Sequence, residues 1–191
     1  MKSFCKAICL AAVLSFSCTI QASSLGFGSI IQTGQLLNVE LTISGLADGE
    51  ADSLSTYDLD VLFDSSHLEY LSSSFGDTEL GNQLDLFDFG DNFTYSGTTA
   101  PGVLNIFEES FDFSEDLNDL QASSFTLVTV GFDILKSNTS QIQFLVNALG
   151  DADGNPLAAT LNLAVVTTVP VPAAFWMMAS GLAVLYRKKA L

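Results

Sequence analysis

The chain has 191 residues, an isoelectric point near 4.1 and a formal net charge of −16, with six basic residues against 22 acidic ones. All 22 acidic residues lie between Glu40 and Asp153, a segment in which Lys136 is the one basic residue. This imbalance excludes nucleic acid as a partner, because almost nothing in the segment could neutralise phosphate.

The first 22 residues are arranged as a secretory signal peptide. Lys2 and Lys6 precede an apolar stretch, and the small residue Ala22 marks the expected cleavage site. A lipoprotein signal with an acylated Cys18 is an alternative, although a phenylalanine stands before that cysteine where small residues are usual. All three cysteines lie within this leader, so the mature chain would hold no disulfide. The sequence therefore predicts a signal peptide at residues 1–22 and an exported chain.

Residues 23–168 predict a single domain built from antiparallel strands. Apolar and polar residues alternate in several runs, which Gly, Asp, Asn and Ser clusters separate. These runs are residues 37–43, 57–63, 103–107, 125–134, 142–146 and 161–165. Residues 65–70 and 114–121 are the two places that look capable of a helical turn. About eight or nine strands, each with one solvent-exposed and one buried face, predict an all-β, two-sheet antiparallel sandwich such as a jelly roll.

Phenylalanine supplies most of the expected aromatic core. A structural role explains these side chains better than stacking on a ligand, because each buried one contributes roughly 1.5 to 3 kcal/mol. Alternation places eight of them on inward strand faces: Phe27, Phe63, Phe75, Phe87, Phe107, Phe125, Phe132 and Phe144.

One strand of this domain carries a family resemblance. The segment from Ser55 to Asp64 combines an aliphatic ladder with a terminal aspartate, and Leu68 follows it. This pattern resembles the strand-turn segment of cohesin-like sandwiches, which often pair such a ladder with an Asp-containing turn and a following Leu. Cohesins bind dockerins on cellulolytic scaffolds, but nothing in the sequence identifies such a partner. The resemblance therefore implies a cohesin-like fold and leaves the ligand open.

The sequence favours a protein that is not an enzyme. Ser66, His67 and an aspartate supply the residue types of a Ser-His-Asp catalytic triad, but sequence neighbours are not expected to meet in the geometry of a triad. A single histidine and no retained cysteine leave zinc without its usual ligands. Carboxylate pairs such as Glu108 with Glu109 keep a secreted hydrolase, such as a glycosidase, as an alternative. This alternative is less favoured because such enzymes usually bind their substrate with aromatic residues such as Trp, and the single tryptophan, Trp176, lies outside the domain.

The loop of residues 150–156 is the best candidate for a cation site. Asp151, Asp153 and Asn155 supply oxygen ligands around a glycine, which suits calcium and its preference for about six to eight oxygens. The loop is not an EF-hand, because Asn162 stands at the twelfth position instead of Glu. A hydrophilic hairpin turn explains the same residues at least as well. A calcium-dependent carbohydrate- or protein-binding module is therefore kept as the alternative function.

Residues 169–191 form a tail with three parts. Two prolines, Pro170 and Pro172, end the domain, and an apolar run of residues 173–186 follows. As a helix, this run would be about 21 Å long at ~1.5 Å per residue, which is short for a bilayer core of ~30 Å. The basic residues 187–189 would keep the C-terminus in the cytoplasm, so the acidic domain would face outward.

This tail resembles the PEP-CTERM sorting signal. The matching residues are Pro170, Val171, Pro172 and Ala173 in the motif, Phe175, Trp176, Gly181 and Leu182 in the transmembrane helix, and Arg187, Lys188 and Lys189 in the basic cluster. Val171 stands where the family name implies Glu. The resemblance implies that an exosortase, a transpeptidase-like membrane enzyme, reads the prolines and cuts near them. It also implies a cell-surface or extracellular-matrix protein in polysaccharide-rich material, whereas an ordinary uncut anchor would need neither prolines nor so short a helix.

Overall fold

Ten strands and one short helix make up the part of the chain that the structure describes. This computed structural model describes residues 23–47, 52–136, 139–161 and 164–167. The strands are β1 (Ser23–Thr33), β2 (Leu36–Ser44), β3 (Leu54–Leu62), β4 (Leu68–Phe75), β5 (Phe93–Ala100), β6 (Val103–Glu109), β7 (Ser124–Ile134), β8 (Thr139–Asp151), β9 (Ala159–Leu161) and β10 (Ala164–Thr167), and the helix is α1 (Ser114–Leu120). The all-β prediction is confirmed, with more strands than the alternation indicated.

The strands form two five-stranded sheets. The first sheet has the order β4-β7-β2-β1-β9, and the second sheet has the order β10-β8-β3-β6-β5. Paired strands are antiparallel except for β1 and β9, which run parallel. The hydroxyl of Tyr70 on β4 donates to that of Ser96 on β5 at 3.0 Å and so joins the two sheets at one edge. The predicted two-sheet antiparallel sandwich is confirmed, apart from the one parallel pair.

Apolar side chains from both sheets fill the space between them. Every second residue is buried from Leu37 onward in β2 and from Tyr57 onward in β3, because successive side chains of a strand point to opposite faces. Leu68 is 1% exposed and follows a turn in which the Ser66 N–H donates to Asp64 at 2.8 Å. This Asp-containing turn with a buried Leu is the feature that the cohesin resemblance implied for the segment.

Six of the eight phenylalanines expected in the core lie in it or against it. Phe87 is 44% exposed on the connection between β4 and β5. Phe107 lies on the outer face of β6, because Leu104, Ile106 and Glu108 take the inward positions of that strand. The prediction was therefore wrong for Phe87 and Phe107. The six in or against the core are Phe27, Phe63, Phe75, Phe125, Phe132 and Phe144.

The local predictions need three corrections. The helical turn predicted at residues 65–70 is confined to residues 65–67, where the Leu68 N–H donates to the Asp64 carbonyl at 2.9 Å, because β4 begins at Leu68 and pairs with β7. The helix predicted near residue 114 is present as α1. Alternation missed β1, β4 and β5, and it underestimated the length of β8. The single strand predicted at residues 161–165 is split between β9 and β10, and residues 162–163 lie outside the described residues.

A two-residue turn, Pro101 and Gly102, joins β5 to β6. Gly102 has a φ of +78°, and a Cβ atom there would lie 2.4 Å from the carbonyl oxygen of Phe63. The Phe63 N–H donates to the Gly102 carbonyl at 2.9 Å, so the two segments touch through their backbones. Any side chain at residue 102 would break this contact.

Different strand ends lie at the two ends of the sandwich. Thr167, the last residue of β10, is paired with Thr139, the first residue of β8. The last residue of β8, Asp151, is paired with Leu54 at the opposite end of the second sheet. The first residue of β5, Phe93, also lies at that opposite end.

Candidate functional site

The outer surface of the second sheet carries a network of fixed polar groups. Asp58 and Asp60 of β3 alternate with buried residues and therefore point outward. The Asn105 amide donates to Oδ1 of Asp58 at 2.6 Å and to Oδ1 of Asp60 at 3.0 Å. The Asn147 amide of β8 also donates to Oδ1 of Asp58, at 3.1 Å. These bonds hold two carboxylates in place as hydrogen-bond acceptors near the middle of the sheet.

Apolar side chains flank this network on both sides. Leu145 is paired with Asp60 and is 50% exposed, and Tyr95 is paired with Phe107 and is 47% exposed. Fixed polar groups with exposed aromatic and aliphatic neighbours are a composition found in protein interfaces. We call this surface the sheet face and define it by seven residues: Asp58, Asp60, Tyr95, Asn105, Phe107, Leu145 and Asn147.

A buried glutamate lies directly behind the sheet face. Glu108 is 0% exposed and accepts a hydrogen bond from the Tyr57 hydroxyl at 2.8 Å. The amides of Asn82 and Asn92 both donate to its Oε1 at 2.6 Å. Glu109, its neighbour in the sequence, is exposed on the other side of β6, so Glu108 and Glu109 do not face each other as a catalytic pair.

Burial controls the ionisation of this glutamate. It raises the pKa of Glu108, and the nearby charge of Asp85 adds to this rise, while the hydrogen bonds from the three donors oppose it without cancelling it. Burial, together with the nearby Glu108 charge, raises the pKa of Tyr57 well above its usual value. Asn82 lies near the middle of the connection between β4 and β5, and Asn92 is its last residue, so Glu108 fastens that long segment at two points.

The turn at His67 brings Asp64, Ser66 and His67 together, but not in the geometry of a triad. Nδ1 of His67 lies 2.8 Å from Oδ2 of Asp64 and 3.0 Å from Oγ of Ser66. A catalytic triad needs the two ring nitrogens to face the acid and the nucleophile separately, but here both contacts use Nδ1. Hydrogen bonds from Ser66, supported by His67, lower the pKa of Asp64 to about 2. The arrangement closes a turn and does not build a triad.

The predicted cation loop is held together by its own first carboxylate. Oδ1 of Asp151 accepts hydrogen bonds from the backbone N–H groups of Asp153 at 3.0 Å and of Asn155 at 2.7 Å. Asp151 is 6% exposed, whereas Asp153 and Asn155 are exposed, and Gly154 has a φ of +81°. This geometry favours the hairpin-turn interpretation, because N–H donors already occupy the carboxylate that calcium would need. Calcium binding stays a prediction.

The other predicted sites fall outside these elements. The signal peptide at residues 1–22 and the tail at residues 169–191, with its sorting motif and basic cluster, lie outside the described residues. Within the described ranges, no helix is both long and apolar enough to cross a bilayer. In the same ranges, no group of three or more His, Cys, Asp or Glu residues is placed to hold a metal ion. Export and sorting therefore stay predictions.

Comparisons with known proteins agree on the fold. No family model and no curated protein matches the sequence. The sixth cohesin of scaffoldin B from Acetivibrio cellulolyticus, solved in complex with a Cel5 dockerin mutant, is 17% identical with a TM-score of 0.57, covering 78% of this chain and 99% of its own.

Two further solved structures extend the likeness. The second type II cohesin module of the adaptor scaffoldin ScaA from the same organism is 16% identical with a TM-score of 0.60, covering 80% of this chain and 99% of its own. A non-cellulosomal cohesin from the archaeon Archaeoglobus fulgidus is 15% identical with a TM-score of 0.56, covering 82% and 97%. The described domain therefore has the cohesin fold.

Proposed function

We propose that this chain is an exported, non-enzymatic protein whose sandwich domain binds a partner protein through the sheet face. The observation that carries the proposal is the Asn105 amide, which fixes Asp58 and Asp60 as acceptors between exposed apolar side chains. Such a surface offers a partner fixed hydrogen-bond acceptors and apolar area at the same time, and little reorganisation is needed on binding.

The fold likeness supports this class of function and names one kind of partner. The Acetivibrio cellulolyticus scaffoldin B cohesin was solved with a dockerin bound to it. By analogy, the partner of this chain is a dockerin-like module or another surface protein. Fold analogy alone is a weak guide to a ligand, so the sheet face must be tested directly.

Site-specific photo-crosslinking in the exporting bacterium tests the proposal. A photoreactive residue at position 145 lies on the sheet face, and one at position 31, where Ile31 is 54% exposed on the first sheet, is the matched control. We expect a discrete protein adduct from position 145 that Asp58→Lys abolishes, and no such adduct from position 31. Equal adducts from both positions, or adducts with polysaccharide alone, would contradict protein binding at this face.

We further propose that the tail sorts the protein. Pro170-Val171-Pro172 and the following apolar and basic residues resemble a signal that an exosortase reads. The intact mass and location of the protein, measured in hosts with and without an exosortase, test this. A shortened, released product that requires the enzyme and is lost in Pro170→Ala with Pro172→Ala is expected. A full-length membrane species in every case would indicate an ordinary anchor.

A further inference from the structure

Four exposed phenylalanines lie on two connections at one end of the sandwich. Phe87 and Phe89 are on the connection from β4 to β5 and are 44% and 74% exposed. Phe111 and Phe113 are on the connection from β6 to α1 and are 59% and 76% exposed. We call these four residues the aromatic cap. Exposed apolar patches of this kind mark contact surfaces, because the removal of apolar surface from water is favourable.

A hydrogen bond holds the two connections of the aromatic cap side by side. The Leu86 N–H donates to Oδ2 of Asp112 at 2.8 Å, which places Phe87 next to the segment that carries Phe111 and Phe113. The rings of Phe87 and Phe89 stack with their centroids 5.6 Å apart and an interplanar angle of 25°.

The backbone beneath these rings is also fixed. The N–H groups of Phe89 and Gly90 donate to the two carboxylate oxygens of Asp85, each at 2.9 Å, and Asp85 is 7% exposed. A surface held in one conformation before binding loses little conformational entropy when a partner arrives. The aromatic cap is therefore ordered before a partner binds.

The surroundings of the cap carry negative charge. Asp88, Asp91 and Glu115 are exposed around the four rings, and residues 76–121 contain no lysine or arginine. Burial raises the pKa of Asp112, and the charges of Asp85, Asp91 and Asp116 raise it further, while the hydrogen bond from the Leu86 N–H opposes the rise. This field repels anionic lipid surfaces and other copies of the chain, and it attracts cations.

We propose that the aromatic cap binds a cationic amphipathic segment of a partner protein, with its apolar side chains on the phenylalanine rings and its Lys or Arg side chains against the surrounding carboxylates. The acidic surroundings favour a positively charged partner. The four exposed rings favour a partner that also carries apolar side chains. Lys and Arg side chains also bind the faces of aromatic rings. This surface shares no residue with the sheet face, and the inference does not depend on the proposed function.

Peptide binding to the full-length chain, followed by fluorescence anisotropy, tests this proposal. The probe is a helical peptide with leucine on one face and lysine on the other. Two comparison peptides replace leucine by serine, or lysine by glutamate. We expect saturable binding of the leucine–lysine peptide, weaker binding as salt is added, and no saturable binding of the comparison peptides.

Variants locate the contact. Phe89→Ser with Phe113→Ser removes the two most exposed rings and should weaken binding of the leucine–lysine peptide by about tenfold or more. Ile31→Ser and Leu145→Ser are matched controls on the first sheet and on the sheet face, and each should leave the affinity unchanged.

Thermal melts of all variants confirm that they fold. If the serine–lysine peptide binds as tightly, or if the cap variant and the controls bind alike, binding is general attraction to an acidic surface and the proposal fails. It also fails if Leu145→Ser weakens binding as much as the cap variant does, or if zwitterionic vesicles bind the cap in place of the peptide.

Discussion

Replacing Glu108 with alanine tests whether a single carboxylate fastens the connection between β4 and β5. The change leaves the hydroxyl of Tyr57 and the amides of Asn82 and Asn92 without the acceptor that they share. A buried donor that loses its partner costs about 1 to 3 kcal/mol. Tyr57 is fully buried, but the two asparagines are half-buried and can turn toward water. We therefore expect Glu108→Ala to lower the free energy of unfolding by about 1 to 3 kcal/mol, mostly through the Tyr57 donor.

Glu108→Gln is the matched control. Its amide oxygen can still accept from both asparagines, and its amide nitrogen can donate to the Tyr57 oxygen. The stability should stay within about 1 kcal/mol of the wild type, since the neutral side chain also avoids the burial of a charge. Urea unfolding at neutral pH measures both variants. If the two variants are equally unstable, or if Glu108→Ala loses less than about 1 kcal/mol, the glutamate does not act as the shared acceptor.

The sign of the pH dependence follows from the same residue. The pKa of Glu108 in the folded protein is above its ordinary value of 4.5, so the folded state binds this proton more tightly than the unfolded state. Stability is then lost as the pH rises through the interval between these two pKa values. We expect the wild type to gain stability when the pH is lowered from neutral toward that ordinary value, and Glu108→Gln to gain less. An equal gain in both proteins would assign the effect to other carboxylates.

Three more variants test local geometry. Gly102→Ala should cost roughly 1 to 3 kcal/mol more than Gly34→Ala in urea unfolding, because both glycines have positive φ but only Gly102 would place its Cβ against a backbone oxygen; equal losses would refute this. Asp151→Ala should cost about 1 to 3 kcal/mol by freeing the loop N–H groups, and a rise in the melting temperature of the wild type on adding calcium would instead support the calcium alternative. Asp64→Asn should reduce the loss of stability as the pH falls from 3.8 toward about 2, because the pKa of that carboxylate is lowered in the folded protein. If the free energy of unfolding falls equally in the wild type and the variant over this pH range, the turn makes no contribution to stability.

The sequence predicted the strands whose two faces differ most in polarity. In β2 and β3, aliphatic residues alternate with polar ones, and the pattern predicts both the strand and its buried side. In β4 and β5, serine, threonine and glycine replace this contrast, so no period is visible. Their pairing with β7 and β6 makes them strands, and pairing with a distant segment cannot be seen in a local pattern.

The inward position of Glu108 explains the error at Phe107. A hydrophobicity pattern places the phenylalanine inward and the glutamate outward, whereas the fold does the reverse. The donors that make the buried charge tolerable come from Tyr57, Asn82 and Asn92, which are 51, 26 and 16 residues away. No local signal reports such partners.

The sheet face was only half visible in the sequence. Asp58 and Asp60 lie in the strand predicted at residues 57–63, although aspartate is depleted in strands. Asn105, Asn147, Tyr95 and the other members come from three further strands, and the pairing that gathers them is a property of the fold.

The position of β10 determines how the domain would be presented on a tether. Thr167, the last described residue, lies beside the first residue of β8, and β8 runs 13 residues to the other end of the sandwich. At ~3.3 Å per residue, this strand spans about 40 Å. If the chain is tethered through the residues after Thr167, as proposed, the attachment point lies at one end of the sandwich, and Phe93 with the neighbouring aromatic cap lies at the opposite end.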